Sequence, residues 1–245
     1  MSKSVLITGA SSGIGRALAY EFSRRGYALG LCARRIGLLE VLKEELSRET
    51  KVSISKLDVS DFKRVQEVLN RLADEVSGVK IVIANAGVSE KSFPGNGTFN
   101  LDRKILEINL LGAIATIDSG VNILKKEGGG QIVGISSIAG LRGLSTNPTY
   151  SASKAALSTY IEGIRNHLKD HNISVTNLNL GFIDTKINSH LKFRPFVISP
   201  EKGAGIMVDL IEENVWSSSV PRWPWSIISY IMQKFPNSLW HKINI

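Results

Sequence analysis

Tyr150 and Lys154 stand four residues apart in a stretch of helical pattern, which puts both side chains on one face. A phenol with a pKa of about 10 is a poor proton shuttle at neutral pH. A neighbouring ammonium favours the phenolate and draws that pKa toward the working range. Ser137 lies thirteen residues before Tyr150, just past a short apolar run, where parallel sheets present ligand-binding groups. Asn109 falls inside a long helical segment, and an amide there points to a polar contact, since it is a mediocre helix former.

A second group of residues sits nearer the N-terminus. Gly9, Ser11, Ser12, Gly13, Ile14 and Gly15 belong to the segment TGASSGIG between a strand-like run and a helical one. Glycines in such a turn let backbone N–H groups and the helix N-terminus face a pyrophosphate. The spacing is G-x-x-x-G-x-G in place of the usual G-x-G-x-x-G, and an unoccupied strand–helix turn is the alternative reading. An NAD-binding fold usually has an acid at the end of its second strand for the ribose 2′-hydroxyl. Here Arg34 and Arg35 follow that strand. Guanidinium forks suit a 2′-phosphate, so NADP is expected over NAD, with Arg34 the more direct contact. A solvated pair opening the next helix is the alternative. Asp58 and Val59 after the third strand are placed to flank an adenine, and Asn85, Ala86 and Gly87 after the fourth to form a small, close-approach wall. Both sets are also ordinary turn residues.

These groups need a scaffold, and the hydrophobic pattern supplies one. Strand-like runs at 4–8, 27–33, 52–57, 80–84, 131–136 and 174–180 make six strands. They alternate with helical periods at 13–25, 38–46, a segment capped by Ser60, 101–126 and 150–168. Buried, non-alternating strands between helices imply an α/β fold: a doubly wound parallel sheet with helices on both faces. The length of 245 residues suits a single dinucleotide-binding domain over 1–245 with an ample core. Gly128, Gly129 and Gly130 read as a helix exit. After Lys186 the pattern loosens. Segment 186–199 is expected to be a substrate lid or a core-capping loop, with Ile187, Leu191, Phe193, Phe196 and Val197 apolar among Lys186, Lys192 and Arg194. Ser199-Pro200-Glu201 then starts a helix.

Composition narrows the classes. Hydrophobic content of 43% and charged content of 21% argue against a disordered chain. The longest nearly apolar run, 110–117, falls short of the ~20 residues a spanning helix needs. Gly9 comes too early to leave room for a signal-peptide core. The single cysteine, Cys32, forms no intrachain disulfide, which points to a reducing cytoplasm, and no metal site is expected. The net charge of +8 fits nucleic acid, an anionic membrane or an anionic ligand. Its basic residues are scattered among acids with no aromatic platform, which disfavours nucleic acid. All four tryptophans (Trp216, Trp223, Trp225, Trp240) fall in the last thirty residues, and 214–245 carries Arg222, Lys234 and Lys242 with no acid. A helix over 224–233 is apolar nearly all round apart from Ser226, Ser229 and Gln233. That surface must pack on its own subunit, across an oligomer, on a membrane or along a substrate tunnel.

Taken in order, the segments TGASSGIG at 8–15 and NAG at 85–87, then Asn109, Ser137 and YSASK at 150–154, resemble the short-chain dehydrogenase/reductase family of compact type, over about residues 4–190. The resemblance implies an NADP(H)-dependent oxidoreductase that interconverts a small-molecule carbonyl and an alcohol by direct hydride transfer. Tyr150 would be the general acid or base. Lys154 would lower its pKa and hold the nicotinamide ribose, Ser137 would bind the substrate oxygen, and Asn109 would anchor a water in the proton relay. After the sixth strand the family usually has Pro-Gly, whereas this chain has Leu180-Gly181. The resemblance still implies a cofactor role for Gly181, for the Ile183 backbone at the carboxamide and for Thr185. Ser12 stands where some NADP-using members carry a basic residue, which leaves the 2′-phosphate more dependent on Arg34. A homodimer or homotetramer through the two long helices is implied, and the apolar residues of segment 186–199 point to a hydrophobic substrate. A 3-ketoacyl-carrier-protein reductase and a non-enzymatic dinucleotide-binding regulator are the alternatives, the latter disfavoured by the intact Ser–Tyr–Lys set.

Overall fold

The computed structural model describes residues 3–189, 191 and 193–240. Lys192 of the expected lid and Lys242 of the tail lie outside the described residues. All six expected strands form: β1 (Ser4–Thr8), β2 (Ala28–Ala33), β3 (Val52–Lys56), β4 (Val79–Ala84), β5 (Gly130–Ser137) and β6 (Ile173–Leu180). A seventh, β7 (Ser217–Val220), joins them. Every pairing is parallel, in the order β3-β2-β1-β4-β5-β6-β7.

Period-two alternation divides the strands between two cores. Val5 and Ile7 of β1 face one layer, which includes Leu18, Phe22, Leu39, Met207 and Ile211. Leu6 faces the other, with Val65, Leu69, Leu72, Ile117 and Leu157. The first layer is built by α1 (Gly13–Arg24), α2 (Ile36–Leu46) and α7 (Pro200–Glu212). The second is built by α3 (Phe62–Val76), α5 (Gly112–Lys126) and α6 (Pro148–Leu168). Full burial of each such aliphatic side chain contributes roughly 1.5–3 kcal/mol. A sheet covered on both faces explains why its strands read as continuous apolar runs.

Three expectations need correction. The helix expected over 101–126 is α4 (Phe99–Leu106) and α5, joined by one π-helical turn, Glu107–Leu111, which carries Asn109. Ser60 does not cap α3, which begins two residues later. Its backbone N–H and hydroxyl instead donate to Asp58 Oδ1 at 3.1 and 2.7 Å. Residues 217–220 belong to the sheet and not to a tail. Three consecutive serines hide that strand from hydrophobic patterning, and β6 supplies its register, with Asn177 opposite Ser217 and Leu180 opposite Val220. Beyond it α8 (Arg222–Lys234) has its non-helical break at Trp223, and α9 (Asn237–Trp240) follows. Among the described residues no helix is long and apolar enough to cross a membrane.

Candidate active site

The carboxyl ends of β1, β2, β4, β5 and β6 open onto one cleft of about 1050 Å³. Its lining includes every residue singled out above for catalysis or cofactor binding except Asn109. At the β1 end the backbone itself forms the wall. Gly9 has φ +72°, and a Cβ on Gly15 would lie 2.4 Å from the Gly9 carbonyl oxygen. Only glycine fits such an approach. Asn85 braces this turn from β4, its Nδ2 donating to the Thr8 carbonyl at 2.8 Å, while its own N–H donates to Thr8 Oγ1 at 3.1 Å.

The two arginines part company. Arg35 Nη2 donates to Ser11 Oγ at 3.1 Å and to Ser12 Oγ at 2.6 Å, which brings its guanidinium onto the glycine turn. Arg34 turns toward Asp58, Nη1 to Oδ2 at 3.8 Å. Arg35, not Arg34, is thus the arginine that contacts the glycine turn. An exposed pair at 3.8 Å leaves the Arg34 fork free to swing.

At the other end of the cleft, β5 delivers Ser137 and α6 delivers Tyr150 and Lys154. Asn147 starts α6 by accepting from the Tyr150 N–H at 3.3 Å, with Pro148 in the first turn. Lys154 is buried, and its Nζ donates to the Ile135 carbonyl at 2.8 Å and lies 5.9 Å from the Tyr150 ring centroid. Desolvation pulls its pKa down to about 8. Burial pushes the Tyr150 phenol above its ordinary value, and a hydrogen bond with Ser137 works in the opposite direction. Desolvation is the larger of these two influences on the phenol. Low polarity disfavours both charged forms at once.

Asn109 does its work one layer behind. Fully buried, it accepts from the Val88 N–H at 2.8 Å, and its Nδ2 donates to the Val88 carbonyl at 2.9 Å and to Ser153 Oγ at 3.2 Å. Its side-chain amide therefore clamps the non-strand segment that follows Asn85-Ala86-Gly87. It lies in the π-helical turn Glu107–Leu111, which shifts the helical hydrogen-bond register.

Sequence reasoning missed Asn188, whose Nδ2 donates to the Ile183 carbonyl at 2.8 Å and whose Oδ1 accepts from the Thr185 N–H at 3.4 Å. It missed as well the pairing of Ile183 with Ile198, which ties the loop after β6 to the end of segment 186–199. No motif spacing announces either contact.

A family model described as short chain dehydrogenase matches residues 3–194. The chain belongs to the short-chain dehydrogenase family. An uncharacterised oxidoreductase of Mycobacterium tuberculosis is 34% identical over 239 residues, covering 96% of this chain and 94% of that protein. The NADP-dependent 3-hydroxy acid dehydrogenase of Schizosaccharomyces pombe is 31% identical, over 76% of this chain and 73% of its own length. Among solved structures, an alcohol dehydrogenase from the archaeon Thermococcus sibiricus, complexed with 5-hydroxy-NADP, aligns with a TM-score of 0.80 at 27% identity. That alignment covers 90% of this chain and 95% of the archaeal one. This short-chain dehydrogenase is accordingly an oxidoreductase with a nicotinamide-dinucleotide fold, acting on a small-molecule substrate.

Proposed function

We propose that the protein is an NADP(H)-dependent reductase of carbonyls, or dehydrogenase of the corresponding alcohols. The reading rests on one arrangement: Ser137, Tyr150 and Lys154 share a cleft whose far end carries the glycine turn with Arg35 on Ser11 and Ser12. The cradle fits a dinucleotide, because Gly9 and Gly15 leave backbone where any side chain would intrude. Gly9 to Gly15 and Asn85 to Gly87 would hold the pyrophosphate and the adjoining ribose, and Asp58 and Val59 would flank the adenine. Arg35, Arg34 and the two serines would hold a 2′-phosphate, which favours NADP. Gly181, Ile183 and Thr185 would meet the nicotinamide end. The bound dinucleotide supplies or accepts the hydride.

What the chain contributes is proton handling and position. Ser137 hydrogen-bonds the substrate oxygen, Tyr150 gives it a proton in reduction or takes one in oxidation, and Lys154 holds the cofactor ribose. The fission-yeast NADP-dependent 3-hydroxy acid dehydrogenase and the archaeal alcohol dehydrogenase support the same chemistry. Segment 186–199 would cover the substrate, and its exposed Ile187, Phe193, Phe196 and Val197 favour a hydrophobic one. The test is NADPH oxidation against ketones and aldehydes graded by chain length, with ketoacyl-carrier substrates as a separate arm. Turnover of a lipophilic ketone is expected, and no turnover across the panel overturns the reading. Arg35→Asp should lower the preference for NADP over NAD by about a hundredfold, the scale for removing one side of a charged contact, and Arg34→Asp by less. Equal affinities for the two dinucleotides in the unaltered protein would overturn the NADP assignment.

The same reading places this short-chain dehydrogenase in the cytoplasm, on its lone, buried Cys32. It is assigned a homodimer or homotetramer through its long helices, and light scattering tests that assembly. The outer face of α8 exposes Trp223, Ile227, Tyr230 and Ile231. Vesicle sedimentation of the unaltered protein beside a variant with Trp223, Ile227, Tyr230 and Ile231 changed to serine tests whether it also touches a membrane surface.

A further inference from the structure

We propose that Trp225, on the C-terminal helix α8, is the positioning residue for the loop 181–185 at the nicotinamide end of the cleft. It acts through its indole face on the bare Cα of Gly181. The inference rests on the dinucleotide reading above. Trp225 is 3% exposed, against 55% for Trp216 and 74% for Trp223, so one tryptophan of the cluster is driven inward. A Cβ on Gly181 would lie 2.3 Å from its Nε1 and 2.6 Å from its Cδ1, and its atoms are the three nearest to that point. The indole therefore occupies the place where a side chain at 181 would stand.

Two aromatic neighbours extend the contact in both directions. Phe182 meets the indole edge to face at 5.8 Å, and Phe196 does so at 6.0 Å. Phe182 belongs to the loop and Phe196 to the segment returning beside it, and the backbones of these two stretches are already joined. The Ile198 N–H donates to the Phe182 carbonyl at 3.1 Å, and the Asp184 N–H to the Ile198 carbonyl at 2.9 Å. Trp225 thus sits where three segments meet: the loop, the segment over the substrate end, and α8. Its Nε1 is buried with no hydrogen-bond partner among the described residues, so shape and ring packing hold it.

Leu180-Gly181 gives this loop no φ lock of its own, because glycine visits both signs of φ. A large ring pressed on the glycine removes that freedom before the cofactor arrives, which is preorganisation. Without the ring, the dinucleotide must order the loop from its own binding free energy. Saturating cofactor restores the order, so the loss falls on cofactor affinity more than on turnover.

The experiment compares Trp225→Ala and Trp225→Phe with the unaltered protein. It measures NADPH dissociation constant, cofactor KM, kcat with the best ketone, and amide hydrogen exchange of 181–185. Trp225→Ala is expected to raise the dissociation constant and KM about tenfold, with kcat at saturation changed less than about threefold and faster exchange in the loop. Trp225→Phe is expected to restore all of these to within about twofold, since the indole N–H has no partner to lose. If Trp225→Ala does not fold, Trp225→Leu takes its place, with the same direction and a smaller shift. A folded Ala or Leu variant with unaltered NADPH affinity and loop exchange overturns the proposal. So does one that loses kcat alone. Failure of the unaltered protein to bind a nicotinamide dinucleotide would instead overturn the functional reading itself, which keeps the two outcomes apart.

Discussion

The cleft is built by two regions that obey different rules. At the β1–β4 end the backbone is the binding surface. Gly15 sits so close to the Gly9 carbonyl that a Cβ would be 2.4 Å away, and Asn85 holds Thr8 through paired hydrogen bonds. Each of those roles admits one or two residue types at one spacing. At the C-terminal end side chains from distant segments pack behind the cleft: Trp225 on Gly181, which lines it, and on Phe196, Trp240 on Gly143, and Arg142 Nη1 donating to the Phe235 carbonyl at 3.1 Å. Aromatic packing tolerates many geometries and residues, so it leaves no fixed pattern. One region presents backbone that cannot vary; the other supports the cleft through side chains that can.

If that division holds, damage to the fixed chemistry should cost far more than damage to the variable frame. Tyr150→Phe removes one hydroxyl from the end where Ser137 and Lys154 converge. Turnover should fall by at least about a hundredfold to ten-thousandfold, the usual worth of a positioned acid or base. NADPH affinity should stay within about twofold, since the ring and Lys154 remain. Steady-state kinetics beside fluorescence titration separates the two, and retained turnover would remove Tyr150 from the chemistry.

Lys154 tests the same end through stability. Its folded pKa is about 8, against about 10.4 for an unfolded lysine. Between those values the unfolded chain binds more protons than the folded one, so this group's contribution to stability rises with pH across that window. Below pH ~8 the burial cost of the ammonium is present in full. Lys154→Met removes it, along with a hydrogen bond to Ile135 worth about 1 kcal/mol. The stability of Lys154→Met relative to the unaltered protein should therefore be most favourable near pH 7 and decline toward pH 10. Denaturant melts at four or five pH values check the slope, and a flat difference would mean the ammonium is not desolvated.

Legibility followed the same boundary. Six of the seven strands showed as apolar runs because both faces of the sheet are buried, and the glycine turn showed because its spacing is a steric requirement. Strand β7 did not, since its Ser217, Ser218 and Ser219 carry no hydrophobic signal and only pairing with β6 makes them a strand. Asn109 was visible as an amide out of place in a helix. That it would clamp Val88, with a π turn beneath it, follows from a contact twenty-one residues away in the chain. The two arginines were adjacent in sequence and looked alike, and the local backbone sent Arg35 to the serines and Arg34 to Asp58. The tryptophan cluster was conspicuous from composition, yet its burial was not. One of its members is packed inward, while Trp223 points to solvent.

The smallest effect is the sharpest test of the division, because it must move one constant and leave another alone. Trp240 donates its Nε1–H to the Gly143 carbonyl at 2.9 Å, lies 5.0 Å from the Arg142 guanidinium, and meets Phe235 edge to face. Residues 141–147 connect the strand end that carries Ser137 to the helix that carries Tyr150, and none of them lines the glycine turn. A half-exposed cation–π contact is worth about 0.5–1 kcal/mol, which corresponds to roughly a two- to fivefold change. Trp240→Ala should therefore raise KM for the carbonyl substrate by about that factor while NADPH KM stays put. Steady-state kinetics with each substrate varied in turn reads both constants. A shift in the cofactor constant instead would mean that Trp240, like Trp225, acts on the loop at the nicotinamide end, and that the C-terminal side chains do not divide between substrate and cofactor.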